Sequence, residues 1–479
     1  MTTATGTTID SLLDAASSRK IFQYSIVGDA SVAVTEMTHD SARVTAGSLF
    51  VCVAGKQFDG HDFAAQAIAA GATALLVEHE LPVDCTQIIV SNTRQVQGVI
   101  AAALWGFPAE QLVMVAVTGT NGKTTTSHLL GSILKQHGLN VQVIGTLTNA
   151  RTTVESTDLH RQLYQFVTEG VDAVVMEVTS HAMVLHRVDG VVFNLAIFTN
   201  LSPEHLDFHG TMEKYFVAKA ALFAPEHSQM AVVNGDDVHG KLISDTTSIP
   251  CVSFFNSTIS EVAVLAGSHE YTWNGQSIHV NIGGKFNVSN SLAAVTAAVQ
   301  LGVAETDIVK GLAAAETVSG RFEKVSAPGQ IDVVVDYAHT PDALQRVLMS
   351  ARDVVGHDHR VLVVFGCGGE RDVEKRPLMG AIAAKFADSV FVTSDNPRSE
   401  KPDVIIQNII DGIGRLPANT VVVAESDRRL AIGLALRSAQ QGDIVVVAGK
   451  GHETYQTIGN SLLPFNDAQV VRELLEVSG

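Results

Sequence analysis

The chain has 479 residues, 46% of them hydrophobic and 17% charged, and a net charge of −18. That composition supports a large core and excludes wholesale disorder; at roughly 150 residues per domain it predicts about three domains. The acidic balance argues against a nucleic-acid binder, which shows a basic face, but leaves room for an anionic small substrate held by local basic loops.

The N-terminal MTTATGTTID has no basic n-region and no apolar h-region, so no signal peptide is expected. No apolar run reaches about 18 residues, so no membrane span is expected either. Cys52, Cys85, Cys251 and Cys367 form no CxxC pair and read as buried free thiols of a reducing compartment, which points to the cytoplasm.

From residue 1 to 107, SLFVCVAG (48–55), a helix-like AAQAIAAG (64–71) and ALLVE (74–78) predict a small α/β unit ending near Gly106-Phe107-Pro108. A second unit, 108–320, opens with LVMVAVTGTNGKTTTSHLLGSILKQHG (112–138), in which strand, glycine loop and helix follow in order and Gly138 is the expected C-cap. Strands follow at 141–145, 172–178, 195–200 and 230–237, and a helical piece at 287–302. The third unit, 321–479, repeats the alternation. Its strands are expected at 331–337, 360–366, 389–395, 420–426 and 443–449, each an apolar run of the kind buried on both faces of a parallel sheet. Helices are expected at 341–351 and 376–387. The fold class is α/β throughout, with a P-loop-like parallel sheet in the middle unit and a doubly wound, Rossmann-like last unit.

Gly119-Thr120-Asn121-Gly122-Lys123-Thr124-Thr125 sits where a phosphate loop belongs, between an apolar strand and a helix start. Glycines let backbone N–H groups approach phosphate, and the helix N-terminus adds partial positive charge. Lys123 would reach the β- and γ-phosphates and Thr124 would offer its hydroxyl to Mg²⁺. Val117 stands where the usual loop has its first glycine, so this is a shorter variant, and with no Asn-Lys-x-Asp guanine signature ATP is the expected nucleotide. Glu177 ends a strand; it is either a second Mg²⁺ ligand or a solvated strand-end carboxylate. FTNLSPEHLDFHG (198–210) puts Asn200, His205, Asp207 and His209 after another strand. Lys219, in the helix-like EKYFVAKAALF, reads by itself as an ordinary solvated or snorkelling lysine.

Four loops of the last unit, DYAHTPDAL (336–344), FGCGGERDVEKRP (365–377), SDNPRSE (394–400) and AGKGHET (448–454), follow strands and make one crevice. It carries Arg371, Lys375, Arg376, Arg398 and Lys450 beside Asp395 and Glu453. Mixed sign suits a zwitterion, since an arginine fork takes a carboxylate and acids take an ammonium; ordinary charged loop tips are the alternative.

These ordered motifs, with EVTSHAM, HRVDG, GRFE and the loops just quoted, resemble those of the ATP-dependent Mur ligases of peptidoglycan synthesis along nearly the whole chain. The resemblance implies uridine-nucleotide-binding, ATP-binding and amino-acid-binding domains in that order, and a cytoplasmic, monomeric enzyme. It implies ATP as cosubstrate and Mg²⁺ held by Thr124, Glu177, His205 and Lys219, the last carboxylated by CO₂. It carries Asn287 and Asn290 to the adenine side, and Arg321, Asp336 and His339 to contacts made with ATP from the C-terminal domain. Asp40 and Ser41 match the UDP pocket, and Thr152, Thr153, Thr179, Ser180 and Arg187 the rest of the nucleotide–peptide site. Asp-Asn-Pro-Arg marks members that add meso-diaminopimelate to UDP-MurNAc-L-Ala-D-Glu. Arg398 and Arg371 would then grip the distal carboxylate that lysine lacks, with Asp395, Asn396, Gly449 and Glu453 orienting the amino-acid head. The chain departs from the family pattern at Ala42, Val154 and Thr179. The lysine-adding sister enzyme, a folylpolyglutamate synthase-like ligase and a non-catalytic nucleotide-binding scaffold are the rival readings.

Overall fold

The computed structural model describes residues 6–55, 58–327, 330–414 and 420–478, and the alternation becomes three α/β sheets met in chain order. The first has five strands, in the spatial order Tyr24–Val27, Thr86–Val90, Ala72–Val77, Ser48–Val51, Glu36–Thr38. Only its outermost pair, Tyr24–Val27 with Thr86–Val90, is antiparallel. Helices Ile9–Ser17 and Thr93–Leu104, absent from the sequence reading, bury Ile9, Leu12, Leu13 and Ile100 against Leu49, Leu76 and Ile88.

The second sheet has six strands, all parallel, in the order Cys251–Phe254, Ala231–Asn234, Leu195–Phe198, Val113–Thr118, Ala173–Glu177, Val141–Ile144. Its inner runs are apolar at every position because helices cover both faces. Leu129, Leu130 and Ile133 of Lys123–Gln136 pack on one face with Leu292 and Val295 of Lys285–Gln300. Leu159 and Leu163 of Ser156–Thr168 pack on the other, with Tyr215 of Met212–Ala220. From Val113–Thr118 the chain builds first to one side and then to the other, so the carboxyl end of that strand is the switch point where such sheets bind ligands. A three-stranded antiparallel sheet, Ser260–Val264, His269–Trp273 and Gln276–Val280, follows. The sequence reading missed it, although Asn274-Gly275 is the commonest two-residue hairpin turn.

The third sheet runs Glu323–Lys324, Asp332–Asp336, Ile444–Ala448, Val361–Phe365, Ser389–Val392, Val421–Ala424, parallel except for its first strand. Four of the five expected strands are buried along their length or nearly so. Val421–Ala424 is not: it forms the sheet edge, with Val421 and Ala424 exposed and Val422 and Val423 half-buried, which corrects the expectation that all five are covered on both faces. A separate hairpin, Tyr455–Ile458 with Ser461–Pro464, was also unread. Of the four thiols Cys52 and Cys367 are buried and Cys85 and Cys251 half-buried, all free. Among the described residues no helix is long and apolar enough to cross a membrane.

Candidate functional site

Strand Val113–Thr118 ends at the switch point in Gly119–Gly122, and Gly122, at φ 89°, turns the chain into helix Lys123–Gln136. A Cβ at Gly122 would stand 2.2 Å from Asn290 Oδ1, so the loop is packed too closely for any other residue. The neighbouring strand end braces it. Asn200 Oδ1 accepts the Asn121 N–H at 3.0 Å, and the Thr199 hydroxyl donates to Asn121 O at 2.6 Å. Lys123 curls over the loop, its ammonium donating to Gly119 O at 2.9 Å and Thr120 O at 2.8 Å. The Thr124 hydroxyl donates to Glu177 Oε2 at 3.1 Å, and Glu177, 1% exposed, also accepts the Thr146 N–H at 2.9 Å. Glu177 is therefore no solvated strand end. With Thr124 it offers the hard oxygen donors a small divalent cation takes.

Lys219 lies behind this loop. It is 2% exposed and donates to Gly119 O at 2.8 Å, with its ammonium 4.8 Å from the Tyr215 ring centroid. Burial, and then the Lys123 charge, hold its pKa well below the ordinary lysine value. The solvated reading is corrected: the other face of this short helix is exposed, but Lys219 is on its buried side. His205, at φ 56°, faces the site from the rim, with its ring 4.6 Å from that of His181. Burial, then the neighbouring His205 and His209, push His181 down to about 4. His209 Nε2 lies 2.9 Å from Ser180 Oγ. No group of three or more His, Cys, Asp or Glu side chains converges as a metal site among the described residues, although Glu177 and His205 line the same cavity.

Glu204 was missed. Its carboxylate stands 3.6 Å from His205 Nε2 and 4.0 Å from His339 Nε2. Burial would raise its pKa, but His205, Lys123, His339 and Lys219 together lower it. The signal was an acid directly before His205 in a loop already singled out.

The third sheet closes the same cavity, of about 760 Å³. Arg321 Nη2 donates to Thr124 Oγ1 at 3.2 Å, and its guanidinium carbon lies 4.9 Å from the Tyr337 ring centroid. Asp336 accepts the Phe322 N–H at 2.7 Å; burial pushes its carboxyl up to about 6, with Arg321 opposing. Thr120, Asn121, Gly122, Lys123, Thr124, Thr125, Glu177, His205, Asn290, Arg321, Asp336 and His339 all line this space. Gly119, Lys219 and Asn287 do not; Asn287 is fully buried and holds Asn290 through a 2.8 Å bond from Asn290 Nδ2. Asp342, also missed, joins the two sheets: its Oδ2 accepts from Asn121 Nδ2 at 3.0 Å and from the Ser202 hydroxyl at 2.7 Å.

A strip of polar groups leads away from Glu177. The Thr153 hydroxyl donates to Glu177 O at 2.9 Å and accepts the Thr179 N–H at 3.2 Å, while Thr152 Oγ1 lies 3.1 Å from Thr146 Oγ1. Arg187 donates to Thr153 O at 3.2 Å and pairs with Glu155 at 2.7 Å. Beyond it opens a second hollow of about 510 Å³, lined by Asp40, Arg43, Arg151 and Glu155. There Asp40 caps the turn Ser41–Arg43 by accepting the Ala42 N–H at 3.0 Å. The Asp40 end and the Arg187 end of the expected nucleotide–peptide site therefore meet.

The remaining residues gather separately. Arg398, at φ 53°, donates through Nη1 to Gly369 O at 2.5 Å. A Cβ on Gly368 would lie 3.0 Å from Arg398 Nη1 and 3.6 Å from Arg371 Cγ, so the two arginines flank one bare stretch of backbone. Asn396 Nδ2 donates to Glu453 Oε2 at 2.8 Å. A Cβ on Gly449 would lie 2.6 Å from Asp395 Oδ2, and burial raises the Asp395 pKa against the pull of Arg428 and Lys450. Arg428, fully buried with Asp467 at 2.7 Å, donates to Ser394 O and Ala448 O, tying together the bases of both loops. Two expected crevice cations are internal instead. Arg376, 1% exposed, is spent on Asn408 and Glu400, and Lys450, 0% exposed, on Glu453 and Tyr455 O. Sequence reasoning placed them by loop membership, which does not say which way a side chain turns.

Three stretches match described families: residues 33–106 the Mur ligase family catalytic domain, 117–298 the Mur ligase middle domain, and 320–451 the Mur ligase glutamate ligase domain. The UDP-N-acetylmuramoyl-L-alanyl-D-glutamate–2,6-diaminopimelate ligase of Geobacillus kaustophilus is 40% identical over 477 residues, covering 94% of this chain and 96% of its own. A solved structure under the same enzyme name superposes with a TM-score of 0.68 at 30% identity, over 99% of both chains. The MurF ligase of Thermotoga maritima in complex with ADP, 20% identical over 93% of this chain and 97% of its own, shares the fold with a TM-score of 0.64. Sequence likeness thus runs through all three sheets and the switch-point loop, and the chain belongs to the Mur ligase family.

Proposed function

We propose that this protein is an ATP-dependent ligase that adds meso-diaminopimelate to the D-glutamate γ-carboxylate of UDP-MurNAc-L-Ala-D-Glu. One observation carries the choice of amino acid: Arg398 and Arg371 flank Gly368 beside the Asn396–Glu453 pair. In this reading the two side chains form a fork for a distal carboxylate, with Glu453 nearby for the ammonium, and lysine has no distal carboxylate to satisfy it. The name of the Geobacillus relative supports the same amino acid.

ATP occupies the larger cavity. The phosphate loop cradles its phosphates, Lys123 uncurls onto the β- and γ-phosphates, and Arg321 and His339 approach from the C-terminal domain. Asn290 forms the adenine side, held in place by the buried Asn287. Thr124 and Glu177 fit Mg²⁺ by their donor chemistry, with His205 and carboxylated Lys219 as further ligands. Bound Mg²⁺ supplies charge neutralisation for the moving phosphoryl group. Carboxylation of Lys219 needs a neutral amine: the nitrogen lone pair forms a bond to CO₂, one proton leaves, and a cation becomes a carboxylate. Its burial and depressed pKa favour that form.

The dipeptide nucleotide lies along Asp40, Ser41, Arg187, Ser180, Thr179, Thr153 and Thr152, which brings its γ-carboxylate to the Glu177 end. That carboxylate takes the γ-phosphoryl group of ATP, giving an acyl phosphate and ADP. The diaminopimelate amine attacks the acyl carbon, the tetrahedral intermediate expels phosphate, and an amide remains. No side-chain nucleophile is required, so positioning and charge stabilisation carry the rate. The reading includes a monomeric enzyme in the cytoplasm.

The test is ADP release by the purified protein with ATP, Mg²⁺ and UDP-MurNAc-L-Ala-D-Glu, run with meso-diaminopimelate and L-lysine side by side. Turnover with diaminopimelate alone is expected. Equal or better turnover with lysine would leave the ligase and replace the amino acid; ATP binding without turnover on either would overturn the enzyme.

A further inference from the structure

The loop Asp395–Arg398 does not hold its own shape. Pro397 has no N–H to offer, and Arg398 is in the left-handed backbone region, unfavourable for a residue with a Cβ. Side-chain bonds from Asn396 to Glu453 and from Arg398 to Gly369 O brace it on one side, and its backbone is held from the other by a hairpin, Tyr455–Ile458 with Ser461–Pro464, turned through Gly459-Asn460. Four hydrogen bonds join hairpin and loop. Gln456 Nε2 donates to Asp395 O at 2.6 Å, and the Thr457 N–H to Asn396 Oδ1 at 2.9 Å. The Arg398 N–H donates to Thr457 O at 3.1 Å, and the Gly459 N–H to Arg398 O at 2.7 Å. Both peptide groups of Arg398 are therefore gripped, and every loop residue but the proline is engaged.

Beyond the loop the hairpin also accepts a hydrogen bond from Lys450 at Tyr455 O. It is a separate two-stranded sheet, and its outer strand Ser461–Pro464 is exposed at all four positions. Isolated hairpins are marginal, and one with so little buried surface adds little to a core. Gln456 is the exception, 7% exposed and aimed at the loop. We infer that this hairpin is the element that sets the amino-acid preference, with Gln456 as a positioning residue that acts through Asp395 and Arg398. The inference rests on the reading of Arg398 as the group that meets the distal carboxylate.

The test uses Gln456→Leu, which keeps the volume and removes the donor, and Gly459→Ala, which strains the turn at φ 57° without meeting any neighbour. Each is compared with wild type and Arg398→Ala for kcat, the KM of each substrate, melting temperature, and the ratio of kcat/KM for meso-diaminopimelate over L-lysine. For Gln456→Leu we expect the diaminopimelate KM to rise, and the ratio to fall, by about tenfold, the scale of one lost hydrogen bond at a positioning group. Gly459→Ala should move both the same way by about threefold, the smaller cost of a strained turn. The ATP KM and the melting temperature should stay put, which a merely structural role would not give. If Arg398→Ala destroys the preference while both folded hairpin variants keep it, the hairpin inference is overturned and the Arg398 reading stands. If Arg398→Ala itself keeps the preference, the Arg398 reading falls and the inference with it.

Discussion

Asp342 sits in the first turn of helix Pro341–Val355, whose N-cap Thr340 accepts the Ala343 N–H. Its carboxylate reaches across to the nucleotide-binding sheet, taking hydrogen bonds from Asn121 and Ser202, and takes a third from Arg346 of its own helix at 2.9 Å. Only the first two change when the C-terminal unit moves. A charge-assisted bond contributes about 1.5–3 kcal/mol when buried, and the 29% exposure of this side chain brings each nearer to about 1 kcal/mol. Asp342→Ala should therefore weaken docking of the C-terminal unit on the phosphate loop by about 2 kcal/mol, roughly thirtyfold in the equilibrium constant. Asp342→Asn keeps an acceptor oxygen and should lose about half of that free energy. Because residues of both sheets line the cavity proposed for ATP, a smaller docked fraction should raise the apparent KM for ATP while kcat at saturation is retained. The assay is resonance energy transfer between labels on the second and third sheets, with and without nucleotide, alongside the KM for ATP. An unchanged distance distribution and unchanged KM in the alanine variant would refute the reasoning.

Lys123→Ala should lower turnover by at least ~1000-fold, as loss of a charge aimed at the transferred phosphoryl group does; a variant with near-normal ADP release would remove the phosphate-loop assignment. His269, hydrogen-bonded to Ile282 O and Ser291 and pushed down to about 4 by burial, is neutral in the fold while its unfolded value is 6.5. Its folded pKa is depressed, so stability is present above pH 6.5 and is lost as pH falls toward 4, by up to roughly 3 kcal/mol. His269→Gln should flatten the dependence of the urea midpoint on pH across that window, and an unaltered slope would count against it. Asp467→Leu strands the buried Arg428 guanidinium and should cost about 3–5 kcal/mol, most of it recovered in Arg428→Met/Asp467→Leu; a double variant no more stable than the single one would contradict this. With ¹³C-labelled bicarbonate, Lys219 should give a carbamate carbon resonance that Lys219→Arg lacks. No such signal in active enzyme would exclude its carboxylation.

Some of this architecture is written locally. The run from Val113 through Gly122 to the helix at Lys123 announces itself because an apolar strand, an obligatory glycine and a helix start are properties of neighbouring residues. The buried parallel strands at 361–365 and 444–448 are legible for the same reason: a strand covered on both faces needs apolar residues at every position. The edge strand Val421–Ala424 has the same composition with only partial cover, at Val422 and Val423, since apolar character does not encode place in the sheet order. Both hairpins carried their turn signals, Asn274-Gly275 and Gly459-Asn460, and around the first the strands alternate, with Tyr271, Trp273, Ile278 and Val280 buried, so that sheet was legible and was passed over.

By itself, then, the sequence determined the α/β class, the strand–glycine–helix turn that carries Lys123 and Thr124, and the strand-end loops to which the substrate contacts are proposed. Those follow from short-range spacing and from the chemistry of single residue types. Only the tertiary structure decided which charges face the site. Arg376 and Lys450 turn inward to Glu400 and Glu453, Lys219 is buried behind Gly119, and Glu204 and Asp342 come forward from loops in which other residues were expected to act. Lys450 finds Glu453 and Tyr455 within five residues, but Arg376, Lys219 and Asp342 reach Glu400, Gly119 and Asn121, 24 to 221 residues away, and no local pattern records those.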